Sequence, residues 1–144
     1  MPATKIKILV IENETDRLIY ITNLLKAHGF NPLTAAYPAE ALSKARSQNP
    51  SLIVLDAMLP VEHIQRVYGQ LKSDPSLCQV PVVMLSSLNR RADGRSRQRP
   101  YALSIGKLPA PEAFLPNPPE AEDFIAVVRR LTAMPKETRN TERA

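Results

Sequence analysis

The chain has 144 residues, 44% of them hydrophobic and 23% charged, which suits one domain with a real core and leaves little room for a second. A net charge of +5 and a single cysteine, Cys78, exclude an internal disulfide and fit a reducing, cytoplasmic setting. No apolar run approaches the ~18–20 residues of a membrane span, and no signal-peptide pattern opens the chain.

The elements follow in order. Lys5–Ile11 alternates and then turns wholly apolar, predicting a first, central strand. Glu12-Asn13-Glu14 closes it, and Thr15 or Asn13 is the expected cap of the next helix. Leu18, Ile21, Leu24 and Leu25 recur at helical spacing as far as Ala27, and Gly29 stops that helix. Phe30–Ala36 is a short strand whose Pro32 suits a sheet edge. Pro38 opens a second helix through Leu42 and Ala45, ending near Asn49-Pro50.

Ser51–Pro60, SLIVLDAMLP, is the stretch around which the rest is organised. Its run Leu52-Ile53-Val54-Leu55 is apolar on both faces, as a central strand covered on both sides requires, and it ends in the carboxylate of Asp56. Val61–Lys72 follows as a helix with Ile64, Val67, Tyr68 and Leu71 on its buried stripe. After Asp74-Pro75, Val80–Leu85 is a fourth buried strand, closed by Ser86-Ser87. The rhythm then fails. Residues 88–111 form a basic, proline-bounded segment with five arginines between Arg90 and Arg99 and no convincing amphipathic helix. Ala113–Leu115 is a short fifth strand, and a last helix runs from about Pro119 to Leu131, with acids at its start and Arg129-Arg130 at its end to suit the helix dipole.

Alternating strands and helices of this length predict a parallel sheet wound right-handedly with helices on both faces, an α/β, three-layer (β/α)5 fold; the doubly wound arrangement expected for it has five strands ordered 2-1-3-4-5. The expected organisation is one domain over residues 1–132, carrying the 88–111 insertion, and a flexible polar tail over 133–144. In that order the carboxyl ends of strands one, three and four share a crevice at the topological switch point. Glu12-Asn13, Asp56 and Ser86 would line it, a set able to hold a hard cation and a phosphoryl group.

These residues carry a resemblance. KILVIENE, LIVLDAMLP, LKSDPSLCQVPVVMLSS and AFLPNPP are similar to the strand ends of the receiver domain of two-component response regulators, the CheY-like superfamily, over roughly Lys5 to Leu131. The resemblance implies a flavodoxin-like fold in which Asp56 accepts a phosphoryl group from a histidine kinase or phosphotransfer protein. It places Ser86 at the switch hydroxyl, Phe114 at the switch aromatic, and Asn117-Pro118 at the family's Lys-Pro step, usually cis. It implies a Mg²⁺ site made by Glu12, Asn13, Asp56 and the backbone carbonyl of Met58.

The departures are informative. Asn13 offers a neutral oxygen where the family has a second acid, so Mg²⁺ is expected to bind weakly or to be lost. Asn117 brings no charge where the family has lysine, removing a contact worth ~1.5–3 kcal/mol; Lys107 could compensate if the insertion folds back over the pocket. Val61-Glu62-His63-Ile64 stands where Gly-x-Asp-Gly is usual, and the insertion replaces the expected fourth helix. Two readings stand: a phosphorelay receiver, or a phosphorylation-independent pseudo-receiver acting as an interaction module. Either is a signalling domain without enzymatic or DNA-binding output of its own.

Other partners are weighed by chemistry. The Arg90–Arg99 run suits a solvated loop or an acidic protein partner; nucleic acid is disfavoured, because no recognition helix and only Tyr101 for stacking accompany it. Pairing of two copies as a homodimer is a further expectation. His28 and His63 lack ligand spacing to each other or to Cys78, and His63 lacks the helical bundle of a phosphotransfer histidine. A flavin binder on this fold would need a phosphate-cradling loop after strand one, where Glu12-Asn13-Glu14 would repel phosphate.

Overall fold

The computed structural model describes residues 5–86 and 108–133. Its elements are β1 (Lys7–Ile11), α1 (Thr15–Ala27), β2 (Asn31–Ala35), α2 (Pro38–Gln48), β3 (Leu52–Asp56), α3 (Val61–Ser73), β4 (Val82–Ser86), β5 (Ala113–Pro116) and α4 (Ala121–Ala133). The five strands form one sheet in the order β2-β1-β3-β4-β5, with every neighbouring pair parallel. The order expected from the sequence is the order observed.

The strand sequences explain the layers. Successive side chains point to opposite faces, and β1, β3 and β4 are apolar at nearly every position, so both faces demand cover. Leu9, Ile11, Ile53, Leu55, Val82 and Met84 pack on one side with α2 and α3 residues, among them Leu42, Ile64, Val67, Tyr68 and Leu71. Ile8, Val10, Leu52, Val54, Val83 and Leu85 pack on the other with Ile21 and Leu25 of α1 and Phe124, Ile125, Val128 and Leu131 of α4. All four stripe residues expected of α3 are buried. Each such aliphatic side chain contributes roughly 1.5–3 kcal/mol when fully buried.

Local chemistry sets the ends. Glu14, rather than Thr15 or Asn13, caps α1: its carboxylate accepts the Arg17 backbone N–H at 2.8 Å. The longer side chain folds back to the third helical amide, and Thr15 is left as the first residue of the helix. The α1 helix ends at Gly29, whose φ of 88° is in the left-handed region that glycine adopts without strain; Phe30 N–H then returns to Leu25 O at 3.0 Å. β2 is an edge strand, and its Pro32 is tolerated there.

Residues 87–107, among them Ser87, Arg90–Arg99, Tyr101 and Lys107, lie outside the described residues, as does the tail beyond 133. The end of the basic segment is described, and it packs on α3. Tyr68 Oη donates to Pro109 O, Leu108 lies against the α2/α3 core, and Lys72 Nζ stands 3.8 Å from Glu112 Oε2. The other Glu112 oxygen accepts Val82 N–H at 2.7 Å, which ties this return segment to the start of β4.

Candidate functional site

The parallel register brings the strand ends level. Ile11 pairs with Leu55, Asp56 with Leu85, and Ser86 with Pro116, so the residues after β1, at the end of β3 and at the ends of β4 and β5 rim one crevice. Glu12 and Asp56 are each 1% exposed. Two carboxylates at such depth need donors around them.

Those donors come from four parts of the chain. Asp56 Oδ1 accepts the Met58 backbone N–H at 2.8 Å and Asn117 Nδ2 at 2.9 Å. The same Asn117 amide lies 3.4 Å from Glu12 Oε1, and Glu12 Oε2 accepts Glu14 N–H at 3.2 Å. Asn117 is itself held because its backbone N–H donates to Ser86 O at 3.0 Å, and the Asn117–Pro118 peptide is cis. The remaining partner is a cation. Arg17, from the first turn of α1, places Nε 3.4 Å from Glu12 Oε1 and Nη2 3.7 Å from Asp56 Oδ2.

Electrostatics follow from this crowding. Burial, and then the neighbouring Glu12 carboxylate, push the Asp56 carboxyl up to about 7, against the opposing pull of Met58 N–H and Arg17. Among the described residues, three buried polar atoms at the site have no hydrogen-bond partner: Asp56 Oδ2, Ser86 Oγ and Asn117 Oδ1. Asp56 Oδ2 has the Arg17 guanidinium 3.7 Å away as its positive neighbour, and Asn117 Oδ1 is a neutral acceptor. That donor set, with the Glu12 carboxylate, fits a hard divalent cation, which takes oxygen ligands.

The expected site residues thus divide. Glu12, Asp56, Ser86 and Asn117 converge, and Met58 contributes its backbone N–H, its side chain being exposed. Asn13 is exposed on the β1–α1 connection. Phe114 is half-buried in β5 and packs against the core that contains Tyr68 and Met84. His63 stands apart on α3, edge-on to Tyr37 with ring centroids 6.5 Å apart. Among the described residues no three His, Cys, Asp or Glu side chains gather into a metal cluster, and no helix is long and apolar enough to cross a membrane.

Sequence reasoning missed Arg17. Periodicity does not mark it: Arg17 is simply the first basic residue after Glu12.

Five parallel strands in the order β2-β1-β3-β4-β5 with helices on both faces define the class of fold, a doubly wound receiver-type α/β domain. The response regulator receiver domain family model matches residues 8–97, and the chain belongs to that family. The alkaline phosphatase synthesis transcriptional regulatory protein PhoP of Bacillus subtilis is 34% identical over 87 residues, covering 60% of this chain and 35% of its own length. Histidine kinase P4 of Formosa agariphila is 35% identical over 83 residues, covering 58% of this chain and 6% of its own length. The chain therefore spans about a third or less of these two relatives. Among solved structures, the receiver domain of a sensor histidine kinase from Pseudomonas aeruginosa, with a magnesium ion coordinated in its active-site cleft, superposes with a TM-score of 0.75 at 18% identity, covering 91% of this chain and all of that one. At that identity the match speaks for the fold alone. Receivers of this family work with histidine kinases or phosphotransfer proteins and bind Mg²⁺.

Proposed function

We propose that the chain is a phosphorelay receiver in which Asp56 accepts a phosphoryl group from a phosphohistidine donor on a histidine kinase or phosphotransfer protein. The observation that carries this reading is the placement of Asp56 at the end of β3 with Oδ1 pinned by Met58 N–H and Asn117 and Oδ2 buried without a hydrogen bond. One oxygen is held, and the other remains as the nucleophile.

The chemistry then balances. Asp56 Oδ2 attacks phosphorus in line, the P–N bond to the donor imidazole breaks, and that nitrogen leaves with the electron pair and takes up a proton. The attacking carboxylate must be ionised, so a carboxyl pushed up to about 7 limits the reaction on the acid side. Glu12, Asp56, the Met58 carbonyl and Asn13 would hold Mg²⁺, which supplies charge neutralisation for the phosphoryl oxygens; with only two carboxylates among those ligands, binding is weak. Ser86 Oγ, buried and without a hydrogen-bond partner among the described residues, would be the hydroxyl that meets the phosphoryl group. Asn117 donates where the family's lysine would pair, so the contact there is neutral. Phe114 would be the switch aromatic, and the basic run Arg90–Arg99 of the sequence is what an acidic protein partner would recognise.

A second reading, a pseudo-receiver that works without phosphorylation, draws on one observation: Arg17 and Asn117 already supply Asp56 with a cation and a donor. Intact mass after acetyl phosphate treatment separates the two. The receiver gains one phosphoryl group in the presence of Mg²⁺ and the Asp56→Asn variant gains none; absence of the adduct with acetyl phosphate and with a panel of phosphohistidine donors supports the pseudo-receiver.

A further inference from the structure

Among the described residues Arg17 brings a positive charge to the crevice, and it does so from an element the receiver reading does not use. Its guanidinium touches both buried acids, Glu12 at 3.4 Å and Asp56 at 3.7 Å. The Asp56 contact is made to Oδ2, the oxygen left without a hydrogen bond. A hard divalent cation that used this acidic pair would need the same two carboxylates, and beside a fixed guanidinium it would face like charge across a few ångströms.

We propose that Arg17 is a resident counter-cation that competes with a divalent metal for Glu12 and Asp56, so that metal entry requires the guanidinium to leave. Three features favour exchange over permanent exclusion. The contacts are single and long rather than a bidentate fork. The side chain is a quarter exposed. A surface depression of about 390 Å³, lined by Asp16, Arg17, Tyr20 and Pro118, gives the guanidinium somewhere to go, with the Asp16 carboxylate at hand. The metal-free site thereby keeps its charge balanced by a tethered group, and the metal's apparent affinity is lowered by the work of displacing it. The inference concerns occupancy of the acidic pair and stands whether or not Asp56 is phosphorylated.

The test is Mg²⁺ binding by titration calorimetry to the wild-type chain and to Arg17→Met, which keeps the stem and removes the charge. The variant should bind roughly tenfold tighter, the size of a like-charge contact removed in a half-solvated site. Binding to the variant alone supports the proposal equally. Equal or weaker binding by Arg17→Met, or no binding by either protein, overturns it. Should the variant fold poorly, the wild-type chain decides by NMR. The Arg17 Nε–H resonance should move to its solvent-exposed position with the same Mg²⁺ midpoint as the Met58 amide. Saturation of the Met58 shift with the Arg17 resonance unmoved overturns the proposal.

Discussion

Asn117 donates from Nδ2 to Asp56 Oδ1 at 2.9 Å, across 61 residues of chain. The bond joins the end of β5 to the end of β3 through a neutral amide. Its strength should follow the charge of its acceptor. Hydrogen bonds to ionised groups contribute about 1.5–3 kcal/mol and neutral ones about 0.5–1.5. Asn117→Ala should therefore lose about 2 kcal/mol of stability at pH 8 and about half as much at pH 5, measured by urea unfolding at both pH values. An equal loss at both would contradict a charge-assisted bond.

A second prediction concerns Asp56 itself in metal-free buffer. Its carboxyl is at about 7 in the folded chain against about 3.9 in an unfolded one. Between those values the native state holds a proton that the unfolded state has released. Stability therefore falls as pH rises from ~4 to ~7 and stays lowered above that. Asp56→Asn removes the cost of burying the charge. The variant should match the wild type near pH 4 and exceed it by about 1–3 kcal/mol at pH 8, read as a higher Tm at pH 8 only. A variant less stable at pH 8 would show that Arg17 and the donors more than offset the burial.

Much of this fold was legible because two-sided burial leaves an imprint. The run Leu52–Leu55 and the stripe Ile64, Val67, Tyr68 and Leu71 can satisfy their apolar surfaces in few other ways, and both took the expected places. The strand-end residues were legible too, since register alone brings Glu12, Asp56 and Ser86 to one rim. Arg17 was not. Whether a first-turn arginine reaches solvent or a crevice depends on how α1 lies across the sheet, which no periodicity encodes. The cap was misplaced for a related reason: a glutamate long enough to fold back onto Arg17 N–H competes with the shorter residues that usually cap. The return segment was likewise hidden, because Glu112 reads as one more polar residue until Val82 N–H and Lys72 meet it.

That return segment gives a third prediction. Tyr68 is fully buried, and its hydroxyl donates to Pro109 O. Tyr68→Phe keeps the ring and its packing but leaves that carbonyl unpaired, at a cost of about 1 kcal/mol. The Glu112 amide, bonded to Val82 O at 3.0 Å, should exchange faster with solvent in the variant, while the amides of β3 keep their protection. Unchanged exchange at Glu112 would mean that Leu108 and the Lys72–Glu112 pair hold the segment without the hydroxyl.

The acid side of the reaction offers a fourth. With Asp56 protonated below about 7, the initial rate of phosphorylation by acetyl phosphate at saturating Mg²⁺ should rise with pH through the region just below neutrality and then level. The midpoint should lie below the metal-free value, because a bound cation favours the carboxylate. A rate that is flat from pH 5 to pH 8 would place the nucleophile elsewhere.

The most direct measurement locates the phosphoryl group. After incubation with acetyl phosphate and Mg²⁺, borohydride reduction converts an aspartyl phosphate to homoserine, and peptide mass mapping reports its position. Homoserine at position 56 alone, absent without Mg²⁺ and absent in Asp56→Asn, is the predicted result. Homoserine at another carboxylate, or at none after treatment with phosphohistidine donors as well, would contradict phosphoryl transfer to Asp56 as the chemistry of this site.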